Sequence, residues 1–309
     1  MTNCNKIDFT VCIVCYNNEL TINKCISSVE LFLKNYSFEI LVFDNMSSDD
    51  SVNKLEKISS VKLFKSTINY GFSKACNFLA THSKSENLVF MNPDLFIKKN
   101  FFLSSETFNC LKKHDALTFS GDNSDLELEN KNINLYPGLL KIKNFFLKNY
   151  KINFKKCYVD GSFLIIKKKI FLSLDGFENY FLYGEDMFFM YKFSAKGYKL
   201  KYLDHKVLSH QRGHSSGKVK HKFLINKIYP EFIFVSKYCN FFERFLFQVL
   251  RSFIVFTVLI FDLFKQKITI DLFFFSIRKI LKFNFLTFFV PKKWSDNDFH
   301  ILDEVHNYI

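Results

Sequence analysis

The sequence predicts an α/β fold: a mostly parallel sheet with helices on both faces, followed by a helical extension rich in basic and aromatic residues. Strand and helix patterns alternate through the first hundred residues. The strands are apolar without a break, as strands covered on both faces are. After Gly217 the composition shifts to Lys- and Phe-rich runs, which marks the extension.

FTVCIVCY (9–16) reads as the first strand, and Leu20 to Leu33 then carries Ile22, Cys25, Ile26, Val29 and Leu33 at helical spacing. Next come strand FEILVFDN (38–45), a Ser and Asp cluster able to cap a helix, and strand VKLFKS (61–66). A helix from about Gly71 to His82 and strand NLVFMNPD (87–94) follow. From Gly121 to Lys156 periodicity is lost and Asp, Asn, Gly and Pro collect, as in a surface excursion. CYVDGSFLIIKK (157–168) reads as one strand, then a short helix, a helix over 184–195 and strand YKLKYLD (198–204). Two domains are expected, 1–217 and 218–309.

The 309 residues suffice for one large domain, or for a domain of roughly 200 to 250 residues plus an appendage. Phe occurs 42 times against 9 Gly. With Lys, Asn and Ile also abundant, that resembles the codon bias of an AT-rich genome and carries no functional weight. Eight cysteines and a start, MTNCNKIDFTV, without the basic and apolar regions of a signal peptide lead us to expect reduced thiols in the cytosol. Cys12 and Cys15 have the spacing of a metal or redox pair. On a strand, however, residues three apart point to opposite faces, so core thiols are expected. The net charge is +13, and residues 218–293 hold 14 Lys and Arg against 4 Asp and Glu. No recognisable nucleic-acid motif accompanies that charge, and no nucleic-acid partner is expected.

In open α/β sheets ligands bind beyond the carboxyl ends of the strands. Tyr16, Asn17 and Asn18 follow the first strand, Asp44 and Asn45 the second, and Asn92 and Asp94 the fourth, so three strand ends converge on one crevice. Read in order, VCIVCYNN, ILVFDNMSSDDS, NYGFSKACN, LVFMNPD, VDGSFLIIKK, DGFENYFLYGEDMFF and LSHQRGHSS resemble the successive motifs of glycosyltransferase family 2 over about residues 9–217. They are most similar to those of inverting bacterial rhamnosyltransferases. The resemblance implies a Rossmann-like GT-A fold for 1–217 and a nucleotide-sugar donor.

Attack of an acceptor hydroxyl on such a donor requires a base for its proton and a cation for the leaving diphosphate. By resemblance, Asp44 binds the nucleoside, and Tyr16 and Asn18 are expected to contact the donor; Ser47 and Ser48 read better as helix caps. Asn69, Gly71 and Asn77 match a segment whose helix start faces the donor, and a well-capped helix is the equal alternative. Asn92 and Asp94 correspond to the family's DxD-type site. Asp94, with His210, would hold Mg²⁺ or Mn²⁺, with His205, His214 and His221 as competing histidines, and Asn92 in place of an acid leaves one charge fewer. Arg212, His214, Ser215 and Ser216 are assigned to a loop over phosphate. Asp160 and Gly161 border the donor and acceptor sugars, Gly161 allowing close approach or forming a β-bulge.

Glu185 and Asp186 stand in the aromatic window NYFLYGEDMFFMYKF. On a helix Asp186 shares its stripe with Phe189, Met190 and Phe193, so Asp186 is expected to be the carboxylate held at a buried cleft. The helix start favours its charge by about 0.3 to 1 kcal/mol while desolvation raises its pKa. The resemblance makes Asp186 the catalytic base with Glu185 in support.

In the tail, FIVFTVLIFDLF (253–264) is twelve residues between charges, short of the ~20 a spanning helix needs. Residues 270–290 carry Arg278, Lys279 and Lys282 at their centre. Basic amphipathic helices on an anionic membrane surface are therefore expected, with a helical subdomain or homodimer interface as the alternative. The whole reads as a cytoplasmic enzyme, peripheral on the inner face of the cell membrane. It would move a sugar from a donor such as dTDP-rhamnose to a lipid-linked glycan in cell-surface polysaccharide or lipopolysaccharide synthesis. The alternatives are a sugar-nucleotide-binding protein without catalysis, hinted at by Asn92, and a nucleotidyltransferase, which YNNELT does not support.

Overall fold

The computed structural model describes residues 6–121, 133–137, 157–179, 183–210, 220–265 and 268–289. The chain divides into two compact units. The first comprises Met1–Asn134, Tyr158–Phe181 and Glu185–Gly217, the second Leu135–Cys157, Leu182–Gly184 and Lys218–Ile309.

The first unit has the expected class, an α/β sheet of mostly parallel strands. β1 (Phe9–Cys15), β2 (Phe38–Asp44), β3 (Val61–Lys65) and β4 (Asn87–Met91) pair in parallel, with α1 (Ile22–Phe32), α2 (Ser51–Glu56) and α3 (Phe72–His82) between them. All seven residues of β1 are buried, which explains its unbroken apolar run. Phe9, Val11, Ile13 and Cys15 pack with Ile22, Cys25, Ile26 and Val29 of α1 on one face. Cys12 turns to the other. The two cysteines are thus core thiols on opposite faces, both free, and burial pushes the Cys15 thiol up to about 12.

Beyond β4 come β5 (Leu95–Ile97), α4 (Ser105–Lys113), β6 (Ala116–Gly121), β7 (Ile133–Leu135), β8 (Cys157–Val159), β9 (Phe163–Lys167), α5 (Lys168–Ser173), α6 (Glu185–Ala195) and β10 (Leu200–His210). The sheet has eight strands in the order β3-β2-β1-β4-β9-β6-β10-β5, and β7 pairs with β8 separately. β9 runs antiparallel to both β4 and β6. It therefore begins at the edge where the parallel strands end, and that reversal brings the loop before it to the strand-end crevice.

Three sequence expectations are corrected here. The strand expected over 157–168 is two strands in different sheets, because Asp160, Gly161 and Ser162 form a turn. The strand expected over 198–204 extends to His210 through an irregularity between Leu203 and Leu208. Most of the 121–156 excursion lies outside the described residues. On the second face of the sheet, Phe90 of β4 meets Phe171 of α5 at 4.7 Å, and Phe171 meets Phe189 of α6 at 5.2 Å.

The second unit is dominated by α7 (Lys220–Tyr238), α8 (Phe241–Phe264) and α9 (Ile270–Phe289). Phe232 of α7, Val255 and Leu259 of α8, and Ile280 of α9 share one apolar cluster. Arg251 donates from Nε to Glu231 Oε2 at 2.8 Å. The helical extension is as expected, but α8 at 24 residues is twice the apolar run read from sequence, because the helix starts at an Asn240 cap well before it. By length and composition α8 could cross a membrane, so the length argument against spanning does not hold.

Candidate active site

The β1 and β2 ends are laced together by backbone amides. Asn17 N donates to Ser47 Oγ at 2.9 Å, Asn18 N to Ser51 Oγ at 2.8 Å, and Glu19 N to Asp49 Oδ2 at 2.9 Å. In return Ser48 N donates to Asn17 Oδ1 at 2.8 Å and Asp50 N to Glu19 Oε2 at 3.0 Å. Ser47 and Ser48, read as helix caps, instead clamp the loop after β1; the residue that precedes α2 is Asp50, which makes no side-chain cap hydrogen bond. Asn18 is buried and its Oδ1 accepts from Tyr16 N at 2.9 Å, so it shapes the loop that presents the half-buried Tyr16.

Asp44 closes β2, opposite Cys15 in register. Its Oδ2 accepts from Ser47 N at 3.1 Å, while Oδ1 is buried with no hydrogen-bond partner among the described residues. A buried carboxylate oxygen without a donor costs free energy that a ligand hydroxyl or N–H would recover. Asn45 Oδ1 accepts from Tyr70 N at 2.8 Å and Asn69 Oδ1 from Gly71 N at 3.0 Å, which ties the NYG segment to the same edge. Gly71 enters α3 with φ of 80°, open to glycine.

Asn77, expected to face the donor, does not. Its Nδ2 donates to Phe177 O at 2.8 Å and its Oδ1 accepts from Phe177 N at 2.9 Å, so both ends of the amide are spent on backbone.

The second cluster forms where β4 ends and β9 begins. Asn92 N donates to Ser162 O at 2.9 Å, and Asp160 accepts from both Ser162 N and Ser162 Oγ. Between them Gly161 N donates to Asp186 Oδ2 at 3.0 Å, and Met187 N donates to Asp186 Oδ1 at 2.7 Å. One backbone donor thus fixes each oxygen of Asp186 and leaves each with acceptor capacity to spare. Burial, then the charge of Asp160, pushes the Asp186 carboxyl above the usual range, against the pull of the two amides.

The expected burial of the two acids is reversed. Glu185 is 8 % exposed with Oε2 unpartnered among the described residues, whereas Asp186 is partly open. The stripe argument fails because α6 is buried nearly all round, at Met187, Phe188, Phe189, Met190 and Phe193. Burial, then the Asp186 charge, raises the Glu185 carboxyl well above the usual range. The accessible acid of the pair is the one held in place by amides.

Residues 10–174 match the family described as glycosyl transferase family 2. The chain belongs to that family. As a family 2 chain it is similar to the O-antigen chain rhamnosyltransferase WbaN of Salmonella anatum, 25 % identical over 191 residues. The match spans 59 % of this chain and 59 % of that curated relative, about three fifths of each length. Among solved structures it is similar to S. aureus TarS 1-349, with a TM-score of 0.51 and 18 % identity over 74 % of this chain and 64 % of that one. TarS 1-349 in complex with UDP-GlcNAc gives a TM-score of 0.53 and 17 % identity over 90 % and 81 %. At such identity the likeness speaks to the fold, which for this family 2 chain is GT-A.

For a divalent ion, the described residues hold no group of three or more His, Cys, Asp or Glu. Asp94 is half-buried in the turn before β5, and the backbone of His210 pairs with Leu95, the next residue along. The His210 side chain and the loop of Arg212, His214, Ser215 and Ser216 lie outside the described residues. Of the expected pair only Asp94 has a described side chain, and a carboxylate is a ligand of the kind that Mg²⁺ or Mn²⁺ takes alongside substrate phosphates.

Asp160 is the residue that motif reading undervalued. Its signal was present, a third carboxylate beside the glycine of VDGS, but its approach to Asp186 requires the β9 reversal.

Proposed function

We propose that the protein transfers a sugar, a deoxysugar such as rhamnose, from a nucleoside diphosphate to a hydroxyl of a lipid-linked glycan, with inversion at the anomeric carbon. The observation that carries this reading is Asp186: a partly open carboxylate with a raised pKa, oriented by Gly161 and Met187 amides at a strand-end crevice. Asp186 takes the proton of the acceptor hydroxyl as its oxygen attacks the anomeric carbon, and the bond from that carbon to the diphosphate breaks on the opposite side. No covalent sugar–protein intermediate is required. Tyr16, Asn18, Asp44, Asn69 and Gly71 serve the donor, with the unpartnered Asp44 Oδ1 accepting from nucleobase or ribose. Asn92 and Gly161 border the transferred sugar.

A bound Mg²⁺ or Mn²⁺ supplies compensating charge for the departing diphosphate. Asp94 and His210 would hold it. The name of the WbaN relative, a rhamnosyltransferase, supports a rhamnose donor, and TarS in complex with UDP-GlcNAc supports a nucleoside diphosphate sugar in this fold. Such a reaction belongs in the cytoplasm at the inner face of the cell membrane, in O-antigen or related polysaccharide assembly.

The test is Asp186→Asn assayed with a panel of nucleotide sugars and lipid-linked glycans. Transfer should fall by about 10²-fold or more while the thermal shift produced by the nucleotide sugar persists. Normal turnover in that variant sinks the base assignment. If the parent neither transfers nor hydrolyses any donor yet is stabilised by one, the protein is instead a sugar-nucleotide binder, as Asn92 in place of an acid would allow.

A further inference from the structure

Along one side α8 is exposed. Phe242, Val249, Phe253 and Phe264 follow at steps of seven, four and eleven residues, which places them on one helical stripe. All are exposed, Phe253 at 68 % and Phe264 at 83 %. The stripe is about 33 Å long and carries no charged residue. Much of the rest of α8 packs within its own unit, while Val258 and Phe261 are also exposed. Phe247 packs with Val235, Val255 and Leu259 pack with Phe232, Arg244 and Gln248 are buried, and Arg251 is bonded to Glu231.

So long an apolar stripe in water is a liability unless something covers it. Charge decides between a second copy and a lipid surface. Residues 218–293 carry an excess of ten positive charges, so apposing two copies would bring like charges together, while an anionic lipid surface complements them. At the C-terminal end of the helix the exposed Lys265 carries its Nζ 4.2 Å from the Phe261 ring centre. Aromatic rings with cations at headgroup depth are the arrangement of interfacial helices. Length would permit α8 to span, but a spanning α8 would carry Arg244, Gln248, Arg251 and its partner Glu231 into hydrocarbon.

We propose that α8 is a monotopic membrane anchor, lying in the plane of an anionic bilayer with the stripe from Phe242 to Phe264 inserted among the acyl chains. The inference does not depend on Asp186 or on sugar transfer, and either can fail alone.

The full chain is floated with vesicles of phosphatidylcholine, with and without phosphatidylglycerol, beside the variant Phe242→Glu/Val249→Glu/Phe253→Glu. Binding should favour the anionic vesicles and drop roughly tenfold or more in the variant, with its melting temperature unchanged because these side chains are exposed. A second variant, Phe253→Trp in a Trp294→Phe background that removes the single tryptophan, reports depth. Its fluorescence should be quenched by lipids brominated near the headgroup more than by lipids brominated near the chain end. Quenching strongest at the bilayer centre, with resistance to alkaline extraction, would mean a spanning helix and overturn the proposal. So would equal vesicle binding by parent and triple variant, or a parent that ignores vesicles but dimerises through this stripe.

Discussion

Asp186 experiences opposing influences of comparable kind: amides of Gly161 and Met187 favour its charge, while burial and Asp160 oppose it, and the opposition prevails. A base must be ionised to work, so activity should fail on the acid side at a pH above the ordinary aspartate value of about 3.9. Asp160→Asn removes one opposing charge but keeps an oxygen for Ser162, so the acid limb of its kcat/KM profile should move to lower pH. A limb that stays in place removes Asp160 from the account. Glu185 titrates in the same direction. Its folded pKa lies above its unfolded one, so its contribution to stability is complete below the unfolded value, about 4.3, and is lost as pH rises through the raised folded value. Glu185→Gln abolishes that titration. Its stability relative to the parent, from urea midpoints, should grow with pH across this window. The residue types at the site were legible because the motifs name them; which acid is buried was not, since a helix apolar all round has no stripe to read.

Two glycines show how elements position chemistry. A methyl group at Gly161 would lie 3.4 Å from Asp186 Cβ, an ordinary contact, whereas at Gly176 it would come within 2.4 Å of Asn77 Oδ1 on a backbone with φ of +65°. Gly161→Ala should keep its melting temperature and lose transfer activity as the new methyl narrows the approach to Asp186. Gly176→Ala should lose about 1–3 kcal/mol of stability by disturbing the Asn77 clamp on Phe177. The reverse pattern would make Gly161 structural. The parallel strands could be read from sequence because β1, β2 and β4 carry long apolar runs, while β3, at the sheet edge, alternates apolar residues with Lys62 and Lys65. The break at 160–162 was signalled by Asp-Gly-Ser, which favours a turn, but the apolar runs on either side read as one strand although they join different sheets. A donor role for Asn77 read well from NYGFSKACN, yet its true partner lies 100 residues away, a pairing no local pattern encodes.

Across the whole chain, charge and apolar surface are separable. The anionic-vesicle affinity of the full chain should fall as salt rises, because the screening length shrinks from about 10 Å at 0.1 M to about 3 Å at 1 M. It should level off at a residue set by the phenylalanines; sedimentation across a salt series would show the plateau, and its absence would leave charge as the sole attraction. The excess of positive charge in the tail was visible in the composition. The stripe was not, because only packing shows which side of α8 its own neighbours cover. The loops after β1 and β2 carry a different implication. Their amides are already satisfied by Ser47, Ser51, Asp49, Asn17 and Glu19. Folding has therefore spent their conformational entropy in advance, and a ligand settling there surrenders little of its affinity to ordering them. If the donor binds there as proposed, such a rim should select by shape and not adapt, so that a nucleoside misplacing a single polar group binds more weakly, its mismatch undiluted by loop movement.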